Sequence, residues 1–220
     1  MKTRRGPSLT DKSLSFEATE FVWDSGELSE TNRLVAEPII RILRRNNAKT
    51  VLDLGCANGA LSAEFSSAGF DVTACDASKS GIHTARENYS GISFFHHDVS
   101  NPLGDAYLGR YDAIVSIEVI EHLLLPRLLL HRAVEALRPG GVLVLTTPFH
   151  GYWKNLALAL AGRFDEHWHP LRDFGHVKFF SKRTIEALLR EQGLGVRCIV
   201  AVGRVPVLAR TMIVEAVKVS

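Results

Sequence analysis

The chain has 220 residues, 46% hydrophobic and 23% charged, with 26 Lys+Arg against 24 Asp+Glu for a formal net charge of +2. So even a balance, with no long run of one sign, excludes a disordered charged tail and disfavours a generic nucleic-acid coat. Cys56, Cys75 and Cys198 give neither a disulfide framework nor a zinc-type spacing, and the basic, polar N-terminus lacks the apolar stretch of a secretory signal, so a cytoplasmic protein is expected.

In chain order, residues 1–29 read as an arm or cap with scattered aromatics (Phe16, Phe21, Trp23), and residues 30–220 as one domain. Apolar Leu34, Val35, Ile39, Ile42 and Leu43 recur at helical spacing, with Pro38 predicting a break or a second helix. A regular alternation follows. Strands are expected at 50–54, 71–75, 92–96, 111–117 and 142–146, and helices at 60–68, 78–89 and 126–137, with Arg138-Pro139-Gly140-Gly141 as turn chemistry. Residues 148–176 break the rhythm and read as an inserted lid, with a helix at 154–161 whose apolar side chains pack on the core. A helix at 181–192, with Ser181 as N-cap, then leads to strands at 196–202 and 211–219, joined through Arg204-Val205-Pro206 and antiparallel to each other. Continuous apolar strands alternating with helices predict an α/β fold: a doubly wound, mostly parallel seven-stranded sheet with an antiparallel strand near the C-terminus. The longest apolar tracts are interrupted by Glu118, Glu121, Arg127, Arg197 and Arg204 and are too short for a membrane span.

The most informative stretch is Val51-Leu52-Asp53-Leu54-Gly55-Cys56-Ala57-Asn58-Gly59, a strand entering a turn of small residues before a helix. Small residues let the backbone approach a flat or anionic ligand, and the helix start presents unpaired N–H groups. Asp76 follows the second strand, where an acidic group in this topology accepts from ribose hydroxyls, and Asp98 follows the third. No Arg or Lys lies near Asp76 before Lys79 and no phosphate-loop Lys follows Gly59, which disfavours NADP and nucleoside triphosphates.

Residues 51–59, with Cys75-Asp76-Ala77-Ser78, His97-Asp98-Val99 and Tyr111-Asp112-Ala113-Ile114, resemble the successive motifs of class I S-adenosylmethionine-dependent methyltransferases, which have a Rossmann-like fold. The resemblance implies that Asp53, Gly55, Ala57 and Gly59 surround the methionine portion of the cofactor, that Asp76 holds the ribose, and that Asp98 and Val99 contact the adenine. Cys56, Ala77, Ile117 and Glu118 complete the implied cofactor set. Ala57 departs from the usual glycine.

After the fourth strand, Glu118, Glu121 and His122 are spaced so that a helix would carry all three on one face. The run is similar to one in the ubiquinone-biosynthesis O-methyltransferases and in small-RNA 2′-O-methyltransferases, where it helps bind a divalent ion. That resemblance implies a magnesium-like ion on Glu118, Glu121 and His122, with His176 as the further imidazole that the RNA group needs. Alternatively, Glu121 or His122 acts as base or substrate clamp without metal, or Glu118 meets the cofactor while Glu121 and His122 cap and orient the helix. Trp23, His150, Tyr152 and Trp168 are expected to shape an acceptor pocket, and His167 and His169 fall in the same ring-rich segment.

The reading is methyl transfer from S-adenosylmethionine to a small-molecule acceptor, through a hydroxyl oxygen. Metal-assisted methylation of an RNA ribose, N- or C-methylation of a small metabolite, and a non-catalytic cofactor-binding subunit are the alternatives. Nucleic acid is disfavoured because the basic residues Arg4, Arg5, Arg41, Arg44, Arg45 and Lys49 lack interleaved aromatic platforms.

Overall fold

A computed structural model describes Trp23 and residues 25–168, 175–203 and 209–219. The arm before Trp23, the Arg204-Val205-Pro206 connection and His169 lie outside the described residues, as does the side chain of His167.

Seven strands form one sheet: β1 (Thr50–Leu54), β2 (Asp71–Asp76), β3 (Ser93–His96), β4 (Tyr111–Ile117), β5 (Leu137–Pro148), β6 (Leu194–Val202) and β7 (Thr211–Lys218). Their order is β3-β2-β1-β4-β5-β7-β6, and β7 runs antiparallel to both its neighbours while the β1–β5 pairings are parallel. Helices α1 (Glu30–Arg45), α2 (Ala60–Ser67) and α3 (Lys79–Asn88) cover one face, where Val35, Ile39, Leu43, Phe65 and Ile82 pack on Val51, Val72 and Val115. On the other face α4 (Pro126–Ala136) and α7 (Lys182–Glu191) bring Leu129, Leu130, Ile185 and Leu189 onto Leu52, Ile114, Leu143 and Val214. The period-2 geometry of a strand makes this division: Val51 faces the first layer and Leu52 the second.

The expected elements are present, with three differences. Pro38 does not break α1. Burying Val35, Ile39, Ile40, Ile42 and Leu43 on one stripe outweighs the roughly 3 kcal/mol that an interior proline costs. Residues 138–141 belong to β5 but form an irregularity in it. Tyr111 pairs with Leu137 and Ala113 with Val142, so five residues of β5 pass two of β4, with Gly140 at φ +73°. Finally, the inserted segment carries α5 (Tyr152–Leu160) and α6 (Phe164–Trp168), and α5 buries none of its residues. Core packing of residues 156–161 is therefore corrected: Leu160 is 81% exposed.

Because β1 sends its chain to β2 on one side and β4 lies on the other, the loops after these strands open a crevice at the sheet's carboxyl edge, where ligands of open α/β sheets bind. Among the described residues no helix is long and apolar enough to cross a membrane.

Candidate active site

The loop after β1 is fixed from the end of β2. The N–H groups of Gly55 and Cys56 donate to the Cys75 carbonyl at 2.8 and 3.0 Å. Asp76 then pins the turn with both carboxylate oxygens, accepting from Ala57 N–H and from Ser78 N–H at 2.8 Å each. Gly55, Ala57 and Gly59 all lie in the left-handed region, at φ +93°, +54° and +76°. Ala57 thus holds a left-handed backbone that glycine would adopt without a Cβ clash, at a cost of roughly 1–2 kcal/mol. Glycine is required at 55, where a Cβ would lie 2.4 Å from a Val119 methyl.

Asp53, on the same face of β1 as Val51, points to α2, where Ser62 Oγ donates to its Oδ2 at 2.6 Å. Its Oδ1 is buried without a hydrogen-bond partner among the described residues. Burial, together with the charge of Asp76, pushes the Asp53 carboxyl up to about 7, against the Ser62 hydrogen bond. The folded protein therefore holds this proton more tightly than the unfolded chain. The contribution of Asp53 to ligand-free stability is greatest below about pH 4, declines as the pH rises toward 7 and levels off above it. Accordingly, Asp53→Asn should make the ligand-free protein more stable at pH 8, by up to about 4 kcal/mol, with the advantage fading near pH 4; urea unfolding at the two pH values measures it.

Further along the edge, Asp98 is exposed and accepts from Ser100 N–H at 2.8 Å, Val99 is buried, and Ala77 is exposed, its carbonyl 2.9 Å from His96 Nε2. Asp76 thus ends β2 against the glycine turn, with Ala77 just past it, and residues 98–99 follow the end of the neighbouring β3.

The Glu-x-x-Glu-His run is not one helix. Glu118 leaves β4 at φ +56°, and only Ile120–His122 form a 3-10 turn. The reversal separates the carboxylates. Glu118 Oε1 accepts from Thr146 Oγ1 at 2.7 Å and Thr211 Oγ1 at 2.6 Å, on β5 and β7. Burial raises its carboxyl, opposed by these two hydroxyls and by the Arg210 and Lys154 charges. Glu121 is fully buried, and among the described residues neither of its carboxyl oxygens has a partner in full hydrogen-bond geometry; burial and then the Glu118 charge hold it well above the usual carboxylate range, opposed by its own backbone N–H and the nearby Thr147 hydroxyl. Its backbone carbonyl accepts from Val177 and Lys178 N–H at 2.9 Å each, which brings His176 to 4.0 Å from Glu121 Oε1. His122 Nδ1 lies 3.2 Å from the Gly175 carbonyl, and the His122 and His176 rings meet edge-on at 4.9 Å. One ligand atom each from Glu121, His122 and His176 lies within 4.8 Å of the others. Glu118 is not in this group, which corrects the expected four-residue cluster. Nor do Glu121 and His122 cap α4, whose N-cap is Leu125.

Of the four expected pocket residues, two come together. His150 and Trp168 converge on Phe179, at 5.1 and 3.8 Å between ring centroids. Tyr152 is 72% exposed and meets Trp153 instead, and Trp23 makes its hydrogen bonds to Ser80 and Thr84 on α3. Sequence reasoning missed Phe179, Thr146, Thr211 and Asn58. Threonines at strand ends and a lone asparagine in a turn carry no pattern that marks them.

A glycine turn and a strand-end carboxylate at the switch point of a doubly wound sheet, with a carboxyl-imidazole cluster of buried Glu121 and half-buried His122 and His176 after the adjacent strand, define a nucleoside-cofactor-dependent transferase. The chain belongs to the methyltransferase-domain family, whose profile matches residues 28–199, and it is an S-adenosylmethionine-dependent methyltransferase. It is 29% identical over 185 residues to a ubiquinone biosynthesis O-methyltransferase of Hydrogenovibrio crunogenus, covering 78% of this chain and 74% of that one. A protein of the same name from Cereibacter sphaeroides is 31% identical over 147 residues, covering 66% of this chain and 59% of its own. Among solved structures, magnesium protoporphyrin IX methyltransferase from Synechocystis PCC 6803, with bound S-adenosylhomocysteine, superposes with a TM-score of 0.66 at 17% identity, over 89% of this chain and 90% of that one. The 1,6-didemethyltoxoflavin N1-methyltransferase of Burkholderia thailandensis, with its acceptor and S-adenosylhomocysteine, gives a TM-score of 0.63 at 19% identity, over 84% and 79%. At these identities the structures support the fold.

Proposed function

We propose that this enzyme methylates a hydroxyl oxygen of a small, partly apolar molecule, with the Glu121, His122 and His176 cluster activating the hydroxyl. The observation that carries the reading is the juxtaposition of that cluster, at the end of β4, with the glycine turn at the end of β1. The curated relatives named above are O-methyltransferases of ubiquinone biosynthesis.

Cofactor binding falls to the turn and its acids. Asp53 Oδ1, a buried oxygen with no hydrogen-bond partner among the described residues, suits the ammonium of the methionine portion, the Asp76 carboxylate at the end of β2 suits the ribose hydroxyls, and Ala77, Asp98 and Val99 are assigned to the adenine. Cys56 and Ile117 flank the crevice from the ends of β1 and β4. The bound cofactor supplies a methyl group already activated by its sulfonium. The chain must then align the acceptor, exclude water and take up the hydroxyl proton as the oxygen–carbon bond forms and the sulfur–carbon bond breaks. His122 is the group assigned to that proton. Its Nδ1–H donates to the Gly175 carbonyl, which leaves Nε2 as the accepting nitrogen. His150, Trp168 and Phe179 form an aromatic wall fit for the acceptor ring.

One carboxylate and two imidazoles also form a donor set that suits a divalent transition ion better than magnesium, which prefers oxygen ligands. Such an ion, held by Glu121, His122 and His176, would lower the pKa of the acceptor hydroxyl. The arrival of His176 in the cluster favours a second reading, metal-assisted methylation of an RNA ribose. Incubating the protein with methyl-labelled cofactor and either a metabolite extract or short RNA separates the two. The proposal expects label on a small hydroxyl compound. Label on RNA alone, with strong salt sensitivity and loss on chelation, would replace it with the second reading.

A further inference from the structure

Trp23 and residues 25–28, ahead of α1, form neither helix nor strand, yet side chains from the cofactor loop and α3 grip their backbone. Asn58 Nδ2 donates to the carbonyls of Ser25 and Glu27 at 2.7 and 3.0 Å. The hydroxyl of Tyr89, just past α3, donates to the Gly26 carbonyl at 2.5 Å, and Thr84 Oγ1 to the Trp23 carbonyl at 3.3 Å. Trp23 N–H donates in turn to Ser80 Oγ at 3.4 Å. Asn58 is itself 3% exposed, and its Oδ1 accepts from Ala60 N–H at 3.2 Å, so one buried amide joins the strap to the first residue of α2. The indole of Trp23 reaches the same junction. A Cβ built on Gly81 would lie 2.7 Å from the Ala57 carbonyl oxygen and 3.1 Å from Trp23 Cδ1, so α3, the cofactor loop and the strap meet at one point.

We propose that this strap is a latch on the cofactor loop, and that Asn58 is the positioning residue through which the seating of the strap sets how tightly cofactor is held. The proposal rests on the assignment of the loop to the cofactor made above. Its physical basis is pre-organisation. The loop has left-handed backbone at 55, 57 and 59, including the strained Ala57, and is pinned by Asp76 on one side and by Asn58 and the strap on the other. If the strap lets go, two buried N–H donors of Asn58 lose their partners and the loop can relax. Its reordering must then be drawn from the binding energy of the cofactor.

Two variants test this. Asn58→Asp keeps an acceptor for Ala60 N–H but has no donors for Ser25 and Glu27. Tyr89→Phe releases the strap at Gly26 without touching the loop. Calorimetric titration with S-adenosylhomocysteine should show the Kd raised about three- to tenfold in both. In the parent, cofactor should increase hydrogen-exchange protection at residues 25–28 as well as 55–59, and this gain should shrink in both variants. A merely structural role would lower the ligand-free Tm and leave the Kd unchanged; that outcome overturns the proposal. So does a raised Kd in Asn58→Asp with none in Tyr89→Phe, which would mark Asn58 as a local cap of α2. If the parent protein binds no cofactor, the site assignment fails first and the latch with it.

Discussion

Replacing Asp76 with alanine is expected to weaken cofactor binding about 5- to 150-fold, equivalent to about 1–3 kcal/mol, because charge-assisted hydrogen bonds to the ribose are lost. The structure adds a second contribution. Each oxygen of the carboxylate holds one backbone N–H, at Ala57 and at Ser78, so the side chain both receives the sugar and shapes the turn beneath the methionine portion. Asp76→Asn should therefore do little better than alanine, since its NH2 would face an N–H donor where an oxygen now accepts. A further readout is independent of the ribose. The charge of Asp76 contributes to the raised carboxyl of Asp53, so its removal should lower the pH, near 7 in the parent, at which ligand-free stability levels off. Titration calorimetry with S-adenosylmethionine and its demethylated product measures the first effect, and unfolding across pH the second. Unchanged affinity in Asp76→Ala would remove the ribose role.

What the sequence made legible is the part governed by local pattern. Apolar runs in phase with glycine turns located the strands, and with them Asp53 inside β1, Asp76 at the end of β2 and Asp98 two residues past β3. Where long-range contacts overrule local preference, the pattern was silent or misleading. Pro38 stays inside α1 because the apolar stripe on both sides of it is buried. Glu118, Glu121 and His122 have helical spacing, but the chain reverses at Glu118 to satisfy its carboxylate with hydroxyls from β5 and β7, the latter 93 residues away in sequence. Asn58 carries no local mark at all: its partners Ser25 and Glu27 lie in a segment without periodicity, and only the packed structure shows that its amide is fully engaged. The segment after β5 shows the opposite error. Its apolar composition suggested burial, whereas α5 presents Tyr152, Trp153 and Leu160 to solvent.

His122→Ala should reduce turnover about 10²- to 10⁴-fold, the range for loss of a positioned general base, while the cofactor Kd stays within about twofold of the parent. The separation is expected because His122 follows β4 and makes its hydrogen bond to Gly175, whereas the residues assigned to the cofactor's sugar and methionine portions follow β1 and β2. The companion variant His176→Ala distinguishes two ways the cluster can work. If His122 takes the proton unaided, His176 supports it through an edge-on ring contact at 4.9 Å, and its loss should cost far less than that of His122. If the cluster works through a bound ion, each residue supplies a ligand atom, so both variants should fall together and chelation should reproduce them in the parent. The comparison requires single-turnover measurements with the acceptor found by the labelling experiment, so that product release does not mask the chemical step. Full activity in His122→Ala would take it out of the mechanism and leave Glu121, whose carboxyl burial and the Glu118 charge raise above the usual carboxylate range, as the remaining acid–base group of the cluster outside His176.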